Sequence, residues 1–270
     1  MYKKILLLVV MLTLVSSASG AVFYSWTGAA GDGLWSTADN WFPAGPPPHD
    51  SGNVGLSDST YGWTITIPAG YTADCTFGED YGTIFGPEWG MKLDISGSLT
   101  YKWYIAPVQN DPSGPRSEIN MYSGSSIYGA EGIAIGDNWW FSAPYVTMNM
   151  YDGSSVDINW LWVGGHLNLY GGTMDVSGGV EMSVNVEDYL TKVDIWTGTL
   201  ILPADFTDEV EDWIERGILL AYGCTPGNSP LIIIDTEINP GRTTVTAVPE
   251  PSTMALLCLG GLALIRRKRS

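Results

Sequence analysis

A short pattern recurs five times through the middle of this chain: an apolar–x–apolar stretch runs into a glycine, small residues follow, and a second short apolar stretch resumes. The copies are residues 93–99 around Gly97, 119–127 around Gly124, 148–158 around Gly153, 167–176 around Gly172 and 193–202 around Gly198, so the glycines stand 27, 29, 19 and 26 residues apart. A unit of that length cannot bury an apolar face by itself; it does so by stacking on its neighbours, which makes a solenoid the economical fold. Period-2 alternation is explicit in Ile119/Met121, Met148/Met150, Leu167/Leu169 and Val193/Ile195, the mark of strands with one buried face. Second strands are expected at 133–135, 160–163 and 180–182.

Two architectures compete for such a pattern, a parallel β-helix and an antiparallel sandwich of hairpins. Hairpins favour Asn-Gly or Asp-Gly turns, and Asp152-Gly153 is the one such dipeptide among the five copies. Tyr122, Tyr151, Tyr170 and Trp196 each stand two residues before their glycine. Stacked coils would bring them about 4.8 Å apart as an aromatic ladder. The expectation is therefore an all-β fold, a short right-handed single-stranded parallel β-helix.

Between residues 21 and 248 there are 28 acidic and six basic residues. A body with that balance repels phosphate backbones, which excludes nucleic-acid binding. Acidity of this kind suits a soluble exported protein.

The two ends read as addresses. Residues 1–20 combine Lys3 and Lys4, an apolar run over 5–15, and small residues that place Ala18 and Gly20 before a cut between Gly20 and Ala21, the layout of a secretory signal removed by signal peptidase. At the other end Val248-Pro249-Glu250-Pro251 precedes an apolar stretch over 254–265 and the cluster Arg266-Arg267-Lys268-Arg269. Twelve helical residues reach about 18 Å against a hydrocarbon core of about 30 Å, which makes a poor permanent anchor, while the basic cluster would hold the terminus in the cytoplasm. These residues resemble the PEP-CTERM sorting domain of exopolysaccharide-producing Gram-negative bacteria. The resemblance implies that Pro249, Glu250 and Pro251 form a sorting motif, that a membrane protease, exosortase, is the processing partner, and that a transient C-terminal anchor gives way to the cell surface or extracellular space. The domain reading is 1–20 signal peptide, 21–248 body with caps, and 249–270 sorting signal.

Segments 26–28, 33–41, 48–50 and 53–54, rich in Trp, resemble the opening of autotransporter-like and PEP-CTERM β-helix proteins. The resemblance implies that the tryptophans pack over the open first coil as an N-terminal cap, with Asn40 and Asp50 fastening the loops. Residues 208–216 read as one short helix in a C-terminal cap, with Thr207 as N-cap, a Val210, Trp213 and Ile214 stripe, and Gly217 as the stop. Residues 231–235 and 243–246 look like closing strands. Cys75 precedes the five coils and Cys224 follows them, a separation of about 24 Å at 4.8 Å per coil, too far for a disulfide.

Chemical motifs are sparse. His49 and His166 are the only histidines, too few for a His-based metal cluster, and no cofactor is implied. Gly28, Gly31 and Gly33 have the spacing of a phosphate loop without the strand and helix that such a loop needs. Asp157 and Asp175 fall at matching outward positions of successive coils, a spacing near that of retaining glycosidases, yet among so many acids such alignment is easily fortuitous. No catalytic residue is assigned. Trp160 and Trp162, on one face of a regular strand, and Trp139 and Trp140, in an aromatic loop, are candidate carbohydrate contacts. The reading is an exosortase-sorted surface or matrix protein of structural or adhesion type, with carbohydrate binding second and polysaccharide hydrolysis or lysis third; extracellular polysaccharide is the candidate partner.

Overall fold

A computed structural model describes residues 22–45, 53–54, 63–76, 83–85, 90–107, 116–138, 141–142, 145–182, 191–224 and 231–248. The described residues form a β-solenoid of about five turns, mostly strand, with one α-helix among them. One sheet takes the strand before each corner glycine and a second sheet takes the strand after it. In the first sheet Val22–Trp26, Trp63–Ile67, Met91–Ile95, Ser117–Met121, Val146–Met150, His166–Leu169, Lys192–Ile195 and Leu219–Ala221 follow one another in parallel.

Register carries the repeat into space. Ile65, Leu93, Ile119, Met148, Leu167, Val193 and Leu219 face one another from strand to strand, all buried. Leu99, Ile127, Val156, Met174, Leu200 and Val245 form the matching buried column of the second sheet. Each such side chain contributes about 1.5–3 kcal/mol by leaving water, and a slip of one residue would turn every one of them outward. The first turn, Trp63–Ile67 followed by Thr72–Cys75, belongs to the same stack although the five-copy pattern does not include it.

The corner between the sheets is a tight turn. Ser125 and Ser154 donate their backbone N–H to the carbonyls of Tyr122 and Tyr151, both at 3.0 Å. Gly124 and Gly153 take the third position with φ of +77° and +73°, the conformation that type II turns reserve for glycine.

The short second strands expected at 133–135, 160–163 and 180–182 are not separate elements. They are the far halves of Ser126–Ile135, Ser155–Val163 and Thr173–Met182, which bend at register shifts between Gly129 and Gly132 and between Ile158 and Trp160. A bulge bends a strand without ending it, so one strand serves two walls of the coil.

Val22–Trp26, of which Trp26 is expected in the cap, is the first parallel strand, and Trp41–Phe42 closes it antiparallel. Trp26, Trp35 and Trp41 are buried at this end, with Trp41 set edge-on to both at centroid distances of 5.0 and 4.5 Å. Asn40 ties the loops as expected: it accepts from the Ala30 N–H at 2.9 Å and donates to Asp32 at 2.6 Å and to the Leu34 carbonyl at 3.0 Å. Hydrogen bonds from Thr37, the Leu34 backbone and Asn40 hold the Asp32 carboxyl below the usual carboxylate range. His49 and Asp50 lie outside the described residues.

At the other end the helix Thr207–Glu215 buries Val210 and Trp213. Gly217, at φ +69°, ends it as expected; its N–H reaches Ile214 and that of Ile218 reaches Trp213. Thr207 is not the N-cap. It is the first helical residue, and its N–H and hydroxyl both donate to Asp205, at 3.1 and 2.7 Å, because a carboxylate is the stronger acceptor for the first free N–H groups. Arg242–Ala247 then pairs antiparallel with Thr199–Pro203 and with Ile232–Asp235, which ends the parallel run.

Candidate functional site

Two aromatic arrays decorate the solenoid. The first is the ladder at the glycine corner. Tyr122 stacks on Tyr151 at 5.8 Å with planes 6° apart, and Tyr151 on Tyr170 at 5.5 Å and 20°. Trp196 continues the row at 5.7 Å but turned by 62°. The row runs one step further than expected, to Tyr222 at 5.5 Å from Trp196; the signal was present as Tyr222-Gly223, whose glycine has the left-handed φ of +67°.

Beside it runs a column of amides that sequence reasoning missed. Asn168 donates to Asn149 and Asn149 to Asn120, both at 2.8 Å, and Asn120 donates to Asp94 at 3.0 Å. At the far end Asp194 accepts from the Trp196 indole at 2.9 Å and from the Gly223 N–H at 3.0 Å. The legible sign was Asn two residues before Tyr122, Tyr151 and Tyr170. Burial, then the Asp94 charge, raises the Tyr122 phenol, and burial, then Tyr151 and Asp194, raises that of Tyr170. These two phenols therefore stay neutral, and the amides of Asn168, Asn149 and Asn120 bond in series down to Asp94.

The second array lies on the bent half of the second sheet. Trp160 and Trp162 share the outward face of Ser155–Val163, their rings 16° from parallel at 5.7 Å. Tyr104 meets Trp162 edge-on at 5.4 Å. Trp160 is 38% exposed. Trp139 and Trp140 lie outside the described residues.

Asp157 and Asp175 are direct register partners on neighbouring strands, as the spacing implies. Asp175, however, forms an ion pair with Arg242, whose guanidinium also donates to the carbonyls of Val176, Ile201 and Leu202. Arg242 therefore latches the closing strand to the coil, a role with no sequence signal beyond its being one of six cations in an acidic body. No group of three or more His, Cys, Asp or Glu side chains that could hold a metal occurs among the described residues. Cys75 and Cys224 are free. Cys75 is buried on Thr72–Cys75 and Cys224 follows Leu219–Ala221, so the stack separates them. Burial, then the Asp74 charge, pushes the Cys75 thiol far up.

The geometry defines a class: a parallel β-solenoid closed at both ends, its outer surface organised in columns of like residues. The C-terminus gives the second element. Residues 247–269 match the family model of the PEP-CTERM protein-sorting motif, and this match supports an exported surface protein sorted by exosortase through a transient C-terminal anchor. No curated protein and no solved structure matches the chain. No helix among the described residues is long and apolar enough to cross a membrane; Gly20, Ala21 and Pro249 to Pro251 lie outside them.

Proposed function

We propose that the protein is a structural or adhesion-type component of the cell surface or extracellular matrix, cut by signal peptidase between Gly20 and Ala21 and released by exosortase near Pro249, Glu250 and Pro251. The match of residues 247–269 to the sorting motif carries this reading. The motif begins where the strand Arg242–Ala247 ends, so the processing site follows the latched closing hairpin with almost no intervening linker. A rigid stack whose outer polar groups bond one another suits a scaffold. Replacing Glu250 by Ala should leave signal-peptide removal intact and trap a membrane-bound precursor in the native host, and wild type should be trapped likewise in a host without exosortase. Release of Glu250→Ala at the wild-type rate would refute the sorting role.

Carbohydrate binding is the second reading, with Trp139, Trp140, Trp160 and Trp162 as contacts; the near-parallel indoles of exposed Trp160 and part-buried Trp162 favour it. Co-sedimentation with the cell's own extracellular polysaccharide separates a binder from an inert scaffold. A hydrolase or lyase is the third reading. It would rest on Asp157 and Asp175, and the Arg242 pair draws Asp175 into a structural role.

A further inference from the structure

The bent half of the second sheet alternates large and small residues from coil to coil. Tyr104, Gly132, Trp160 and Gly179 are successive register partners, and Ala134, Trp162 and Glu181 form the next column. A methyl group on Gly179 would fall 2.3 Å from Cζ3 of Trp160 and 2.7 Å from its Cε3 and Cη2; one on Gly132 would fall 2.8 Å from Cζ3 of Trp162. Gly132, Ala134 and Gly179 are buried although they stand on the outer face of the sheet. The indoles therefore lie down over the small residues of adjoining coils. Trp160 is exposed and Trp162 part-buried, their rings stack at 5.7 Å, and Tyr104 meets Trp162 edge-on.

Flat, rigidly seated aromatic faces in near-parallel pairs complement the C–H faces of pyranose rings, and the side-chain entropy lost on binding is small because packing has already fixed the rings. The rim selects among sugars. Glu181 is the exposed register partner of Trp162, Glu131 adjoins Gly132 and is close enough to help raise the Tyr104 phenol after burial, and the body around them is strongly acidic. Carboxylates accept hydrogen bonds from sugar hydroxyls and repel uronic or sulfated residues.

We propose that Trp160 and Trp162, seated on Gly132, Ala134 and Gly179, form a stacking platform for a neutral polysaccharide chain, with Glu181 accepting from its hydroxyls. This rests on the carbohydrate-binding reading and adds the site and the ligand class to it.

Affinity electrophoresis of the exported full-length protein in gels containing hydroxyethylcellulose, xyloglucan or galactomannan, with alginate as the anionic probe, tests it. At least one neutral polysaccharide should retard the wild type, and alginate should not. Trp160→Ala should weaken that retardation about tenfold, the effect of about 1.4 kcal/mol of lost stacking. Gly179→Val keeps both indoles but displaces Trp160 and should weaken it comparably. Tyr151→Ala, in the corner ladder, should leave it unchanged. Glu181→Lys, an exposed change that leaves the fold intact, should bring alginate within range and covers the case in which Gly179→Val does not fold. Retardation of wild type by a neutral polysaccharide that Trp160→Ala leaves intact would overturn the platform while sparing carbohydrate binding. Equal retardation by alginate would overturn the neutral class, and no retardation by any polysaccharide, the host's own included, would overturn both readings.

Discussion

The corner ladder and the Trp160/Trp162 platform are built from the same side-chain type on the same coils, yet they spend their aromatic faces differently. Along the corner every turn from Tyr122 to Tyr222 supplies a ring in register, so each ring stacks on or tilts against the next at 5.5 to 5.8 Å and its faces are largely occupied by neighbours. On the second sheet the rungs beside Trp160 carry glycines, so Trp160 meets no ring on the adjoining coils; it lies against Gly179 and stacks on Trp162 of its own strand. In this solenoid, repetition of an aromatic from coil to coil makes a continuous stack, whereas its interruption by glycine confines the pairing to one strand. The rung spacing of about 4.8 Å allows either; the residue on the adjoining turn decides.

Both arrays presuppose one assignment of inner and outer faces. The largest expected effect is therefore that of Leu169→Asp, which places a carboxylate in the buried column with Ile195 and Met150. A buried, unpaired charge costs several kcal/mol, a large part of the ~5–15 kcal/mol that holds a domain folded, so this variant should not give a cooperative thermal transition. A midpoint equal to that of wild type would invert the face assignment and with it the comparison. Tyr151→Ala comes next. Tyr151 has a stacked neighbour on each side, and two aromatic contacts at about 0.5–1.5 kcal/mol each give a loss of about 1–3 kcal/mol. Trp160→Ala removes one such pair and should cost less stability while affecting polysaccharide binding. If denaturant unfolding ranks the two the other way, the ladder is decoration and the platform is structural. Asp157→Asn, at an exposed position of the second sheet, should leave the unfolding free energy within about 0.5 kcal/mol of wild type.

The cysteines sharpen the picture of a stack with distinct ends. Cys75 should resist alkylation in the folded protein, because burial keeps its thiol protonated, whereas Cys224 should label without denaturant. Non-reducing mass spectrometry should find no link between them. A Cys75–Cys224 bridge within a monomer would require the C-terminal cap to fold back along the whole stack.

Much of this was legible in the sequence because a solenoid writes its contacts as a repeat. The alternation at Ile119/Met121 or Leu167/Leu169 names the buried face, and an aromatic two residues before Gly124, Gly153, Gly172 and Gly198 names the ladder. What was not legible depends on neighbours that are remote in sequence or on competition between local acceptors. The bends within Ser126–Ile135 and Ser155–Val163 look like strand breaks when read along one chain segment, because a bulge interrupts periodicity without interrupting pairing. Asp205 outcompetes Thr207 at the helix start through a geometry that propensity alone does not encode. Trp160 and Trp162 were visible as a pair on one face; that they lie on Gly179 and Gly132 is a property of adjoining coils, and it needed the register.

The central claim, a surface-sorted solenoid whose tail is removed, is tested most directly by intact-mass measurement of the protein released from the surface of the native host. The account predicts a chain that begins at Ala21 and ends close to Pro251. A chain ending at Ser270 would contradict it and would make the tail a retained anchor.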